Sequence, residues 1–112
     1  EIFRNEQAVA ARRSAAGEMA LPARVRMYIG GWERPGSEAR SYGTDGKDMV
    51  GDVARFEAVL RSRSYTGLQV SHRVIDGADH GSVYPAFITD ALVWALPGKA
   101  SKYRDEADAQ SP

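Results

Sequence analysis

The run LQVSHRVIDGADHGSVYPAFITDALVWAL, residues 68–96, decides how this chain is read. Its first eight residues alternate. Leu68, Val70, His72 and Val74 share one face, and Gln69, Ser71, Arg73 and Ile75 share the other. A period of two is the mark of a strand. The alternation stops at Asp76-Gly77, where aspartate and glycine favour a turn. A helix-forming run follows over residues 84–96, with Pro85 in its first turn, where a missing N–H is harmless. Its spacing puts Phe87, Ile88, Ala91, Leu92 and Ala95 on the buried side. His80 stands alone in the corner between strand and helix, and Ser82 two residues on is a candidate helix cap.

Working outward, residues 49–63 carry Met49, Val53, Phe56 and Leu60 at helical spacing, widened by Val50 and Val59. Asp48 is placed to cap that helix. Residues 24–29, RVRMYI, alternate again and predict a strand that ends at Gly30-Gly31. The glycine-punctuated polar stretch from Trp32 to Asp48 predicts a long loop, and such loops are often functional. Residues 2–16 predict an alanine-rich helix stopped near Gly17. The order is helix, strand, helix, strand, helix. Two strands joined through a helix are expected to be parallel, with a right-handed crossover. Two strands alone make a poor sheet. The chain also opens on Glu1, in the middle of helix-forming sequence. Both features lead to the expectation of a piece of a larger α/β sheet.

Composition narrows the function classes. The 112 residues contain 15 basic and 15 acidic side chains, a formal charge of zero. A nucleic-acid partner, which calls for a basic face, is not expected. No apolar run reaches the ~20 residues of a membrane span. The chain has no cysteine, so disulfides and thiolate metal sites are excluded. His72, Asp76, Asp79 and His80 have the residue types of a metal site but not its spacing, and the two aspartates read as turn formers.

In open parallel sheets, ligands sit at the carboxyl ends of the strands. Two loops occupy that edge here: GGWERPGSE after the first strand and DGADHGS after the second. They bring Glu33 and His80 into adjacent loops. A carboxylate beside an imidazole fixes its tautomer and stabilises the imidazolium, and acid before histidine is the chain order of a serine-hydrolase triad. Asp52, on the first turn of the second helix, is the rival acid. Trp32, next to Glu33, is a candidate for lining a substrate pocket. Ser37, Ser41 and Ser71 lack a strand–elbow–helix setting, and no G-x-S-x-G occurs, so no serine here is nominated as nucleophile. His72, mid-strand among apolar neighbours, reads as a packed side chain.

The segments RVRMYIGGWE, MVGDVARFEAVLRSR and LQVSHRVIDGADHGSVYPAFITDALVWAL together resemble the C-terminal part of the esterase branch of the α/β-hydrolases. That branch includes enterochelin (siderophore) esterases and, more distantly, the mycolyltransferase antigens. EIFRNEQAVAARR is similar to the family helix that follows the sixth strand. The most specific piece is DGADHGSVYPA, since family members carry the catalytic histidine within a D/E-H-G/x-S-V segment. The resemblance implies His80 as general base, Glu33 as the acid, a carboxylic ester as substrate and no cofactor. It also implies that the serine and oxyanion hole lie in an N-terminal half outside these residues. Residues 1–98 are then expected to form the C-terminal part of a hydrolase domain, and 99–112 a polar tail. The competing expectation is a non-catalytic module that pairs with another chain through an exposed sheet edge.

Overall fold

A computed structural model describes residues 2–37 and 46–96. The predicted tail 99–112, and Glu38, Ser41, Gly43 and Asp45 of the long loop, lie outside the described residues. The elements are α1 (Ile2–Ala15), β1 (Arg24–Gly30), α2 (Met49–Ser62), β2 (Gln69–Ile75) and α3 (Val83–Ala95). This is the mixed α/β order that the alternation and helical spacing predict. No helix among the described residues is long and apolar enough to cross a membrane.

β1 and β2 pair in parallel over their whole length, from Arg24 opposite Gln69 to Gly30 opposite Ile75. Hydrogen bonds at both ends fix the phase of the ladder. The Gln69 amide donates to Ala23 at 2.9 Å, and the Gly31 amide donates to Ile75 at 2.8 Å. Alternation along a parallel ladder then points the peptide groups of Val25, Met27 and Ile29 at β2, and those of Arg24, Arg26 and Tyr28 away from it. On β2 the outward groups belong to Val70, His72 and Val74.

Side chains divide between the two faces by the same alternation. Met27 and His72 lie under α2, where Glu57 reaches His72. Arg24, Arg26, Tyr28 and Arg73 lie under α3. α2 begins where Asp48 accepts from the Gly51 amide at 2.9 Å, the predicted cap. α1 packs on α2 through an edge-to-face contact of Phe3 with Phe56, centroids 5.7 Å apart, and through a two-pronged ion pair of Glu6 with Arg63 at 2.9 Å. Among the described residues the buried apolar side chains are few: Ala10, Ile29, Tyr65, Val70, Ala78 and Val83.

α3 sits differently from the face its spacing suggests. Phe87 does turn inward and stacks on Tyr28 at 5.1 Å. Ile88 and Leu92, expected inside, are 47% and 55% exposed, and Ala95 is exposed too, while Ala91 is half-buried as expected. The inward positions go to Val83, Phe87, Asp90, Ala91 and Trp94. The reason lies in the sheet below. Asp90 accepts from Arg26, Arg73 and the Tyr28 hydroxyl, while Arg24 and Arg26 lie over the Trp94 ring, 4.3 and 5.0 Å from its centre. A sheet face carrying three arginines turns the helix's carboxylate and its indole toward itself.

Ser82 is also corrected as a cap: its side chain makes no capping bond to α3. Asp79 caps this corner, accepting from the Gly81 and Ser82 amides at 3.0 and 2.7 Å, while the Asp79 amide donates to Ser82 Oγ at 2.9 Å. The two side chains satisfy each other's backbone, the reciprocal arrangement of a capping box.

Burial by itself would raise the Asp90 pKa, but the Tyr28 hydroxyl and the Arg73 and Arg26 guanidiniums outweigh it and hold the carboxyl below its usual value. A depressed folded pKa contributes stability above the unfolded value near 3.9, and that contribution is lost as pH falls through the folded pKa. Asp90→Asn is therefore expected to lower stability at neutral pH and to flatten its decline below about pH 4. Urea midpoints measured from pH 3 to 7 check this; an unchanged acid limb would contradict it.

Candidate functional site

The site is built where β1 and β2 end side by side. Gly30 and Gly31 close β1, and the turn from Asp76 to Asp79 closes β2. The Trp32 amide donates to Ala78 at 3.0 Å, which clamps one loop to the other. The approach is so close that a Cβ on Gly30 would lie 2.5 Å from the Ala78 carbonyl oxygen. Glycine is required there by contact, not by dihedral angle.

This clamp sets Glu33 beneath His80. His80 Nδ1 and Glu33 Oε1 are 2.7 Å apart, and Glu33 Oε2 accepts from the Gly30 amide at 2.7 Å. Glu33 is 1% exposed, the one charged residue fully buried among the described residues. A carboxylate held away from water needs every strong partner it can find, and here each oxygen has one. The backbone of Glu33 is engaged too. Its amide donates to Gly30, and its carbonyl accepts from Met49 and Val50 at 3.0 and 3.1 Å. Those are the first two amides of α2, and Asp48 takes the third, at Gly51, so the start of that helix is satisfied from Glu33 and Asp48 together.

An ionised carboxylate only accepts, so the bond to Glu33 selects the tautomer with its proton on Nδ1, which makes Nε2 the accepting nitrogen of that tautomer. The His80 side chain is 43% exposed, with Tyr84 edge-on at 6.3 Å. Beside the pair lies a hollow of about 250 Å³ lined by Ile29, Met49, Val83, Tyr84 and Phe87. The arrangement combines an oriented imidazole, a buried acid behind it and an apolar space in front.

Glu33 is thus the carboxylate that meets His80. Asp52 pairs with Arg55 on the exposed side of α2. Trp32 is half-buried and held through its backbone; the hollow next to His80 is lined by Tyr84 and Phe87 rather than by Trp32. His72 has a carboxylate as well, Glu57 at 2.8 Å, but that oxygen pair is shared with Arg61 and lies mid-strand under α2. Among the described residues, no group of three or more His, Cys, Asp or Glu could hold a metal ion. Reading the sequence missed Gly30 as the contact point, the Glu33 carbonyl as a cap for α2, and Tyr84 beside the imidazole. Only the last carried a signal, being one helical turn beyond His80.

Comparison with protein-family models, with curated proteins and with solved structures finds no match for this chain.

Gly30→Ala is expected to destabilise the chain by roughly 1–3 kcal/mol, the range for forcing a methyl into closed packing. It is also expected to separate Glu33 from His80. A downfield Nδ1 proton resonance should be present in the parent chain, absent in Glu33→Gln, and lost or shifted in Gly30→Ala. Retention of the resonance in Gly30→Ala would show that the two loops can part without disturbing the pair.

Proposed function

We propose that this chain supplies the histidine and the acid of a serine carboxylic-ester hydrolase whose nucleophile lies outside these residues. The observation that carries the reading is the 2.7 Å contact of His80 Nδ1 with a carboxylate that is 1% exposed, at the carboxyl end of a parallel sheet. The resemblance of DGADHGSVYPA to the esterase branch of the α/β-hydrolases supports it from the sequence side, and extends the fold proposal to the C-terminal section of that sheet.

In this reading His80 Nε2 takes the proton of a serine hydroxyl as its oxygen attacks the ester carbonyl. Glu33 stabilises the imidazolium that forms. His80 then returns the proton to the alkoxide as the ester C–O bond breaks, releasing the alcohol and leaving an acyl-serine. A water molecule repeats the sequence, giving its proton to His80 and releasing the acid. The substrate is a small-molecule ester, and no cofactor enters the cycle. The hollow lined by Val83, Tyr84 and Phe87 offers an apolar wall to one side of the ester.

In the complete hydrolase, His80→Ala is expected to lower kcat/KM for a chromogenic ester by about 10³-fold or more, since triad members act as a unit. Glu33→Gln keeps the shape and loses the acceptor, and is expected to cost on the order of 10²- to 10⁴-fold. The 112-residue chain alone is expected to show no turnover. Near-parental hydrolysis by His80→Ala would overturn the proposal.

A further inference from the structure

Two anchors decide where the His80 ring points, and only one of them is Glu33. The His80 side chain is 43% exposed, so packing alone does not hold it. Glu33 fixes the Nδ1 end of the ring. The other end is the Cα, whose place is set by the backbone of the corner. Planar peptides leave a residue only φ and ψ, so holding the two peptides that meet at a Cα fixes the direction of its Cβ.

Asp79 holds both. The Asp79–His80 peptide is tied through its carbonyl, which accepts from the Val83 amide at 3.1 Å. The His80–Gly81 peptide is tied through its amide, which donates to Asp79 Oδ1 at 3.0 Å. The same oxygen accepts from the Ser82 amide at 2.7 Å and from the Ser82 hydroxyl at 2.8 Å. The peptide before, Ala78–Asp79, is fixed at both ends. Its carbonyl accepts from Trp32 at 3.0 Å, and its amide donates to Ser82 Oγ at 2.9 Å. Two features set this apart from a cap that serves only the helix. The amides bonded to the carboxylate belong to Gly81 and Ser82, ahead of α3, which begins at Val83. Nor does Gly81 bend the corner by its own freedom. Its φ lies outside the left-handed region, and an added Cβ would meet only Asp79 Oδ1, at an ordinary 3.6 Å. The course of the chain around His80 therefore comes from the carboxylate.

We infer that Asp79 is a positioning residue for His80. Its acceptor oxygen holds the Cα end of the side chain as Glu33 holds the ring, and the two anchors together set the angle at which Nε2 meets a proton donor. The catalytic meaning of this rests on the proposed reaction, in which His80 is the general base. Such a group has to stay within about 0.5 Å and 10–20° of its productive geometry. A misplacement of about 1 Å costs on the order of 10²-fold in rate. What counts is the place of the acceptor, not its charge.

Three substitutions separate place from charge. Asp79→Asn keeps the acceptor and removes the charge. Asp79→Glu keeps the charge and moves the acceptor by one methylene. Asp79→Ala removes both. In the 112-residue chain, well below the unfolding midpoint, the downfield Nδ1 proton resonance is expected to persist in Asp79→Asn. It is expected to be lost or shifted upfield in Asp79→Glu and Asp79→Ala. In the complete hydrolase, kcat for a chromogenic ester is expected to fall about tenfold or more in Asp79→Glu and Asp79→Ala, with KM unchanged. Asp79→Asn is expected to stay within about threefold of the parent. A cap that serves stability alone would lower the midpoint and move neither the resonance nor kcat, and that result overturns the inference. Asp79→Glu tracking the parent while Asp79→Asn falls, the order of a pure charge effect, overturns it equally. Should Asp79→Ala fail to fold, Asp79→Asn and Asp79→Glu decide by the same ordering. Parental kcat in Asp79→Glu beside an inactive His80→Ala overturns this inference and leaves the proposed function standing. Parental turnover in His80→Ala removes the proposed function itself, while the resonance series still decides whether Asp79 holds the ring.

Discussion

Glu33 is the residue through which the rest of this structure is joined. Its carboxylate is buried, and a buried carboxylate is tolerated only when both oxygens are bonded. One bond goes to the last peptide of β1 and the other to His80. Its carbonyl takes the opening amides of α2. Four parts of the chain meet on that residue: the end of β1, the corner after β2, the start of α2 and, through the corner, the start of α3. The apolar core is small, so this polar junction carries an unusual share of the work of fixing loop positions.

The secondary structure was legible because its signals are local. Alternation in RVRMYI and LQVSHRVI names both strands, and a helix between them dictates parallel pairing. The meeting of Glu33 with His80 was legible only as an address. Both follow strands whose carboxyl ends must lie together, yet they are 47 residues apart, and nothing in the local pattern tells that Glu33 is buried. That burial comes from the Gly30–Ala78 contact and the bond between Trp32 and Ala78, which exist only once the two loops have met.

α3 shows why the remainder was hidden. The run VYPAFITDALVWA is apolar on nearly every side, so helical spacing offers no contrast from which to choose a buried face. Its one charge, Asp90, would ordinarily be placed in solvent. It faces inward because the sheet beneath it presents Arg24, Arg26 and Arg73. Those arginines alternate with Val25, Met27 and Val74 and look, in sequence, like the solvent side of two half-exposed strands. The orientation of the helix is thus set by the charge of a different element. Ser82 misled for a related reason. In D-x-x-S either end can cap, and the backbone course of the corner gave that role to Asp79.

Because one residue holds the imidazole by its side chain and a helix by its backbone, the corner behaves as a mechanical coupling. The carboxylate and the carbonyl of Glu33 belong to the same short, buried residue, so neither can shift far without dragging the other. A push on the outer flank of α2, ~20 Å long at 1.5 Å per residue, is carried along a stiff rod toward that ring. The tilt of the His80 imidazole is in this way made answerable to whatever leans on the far end of that rod.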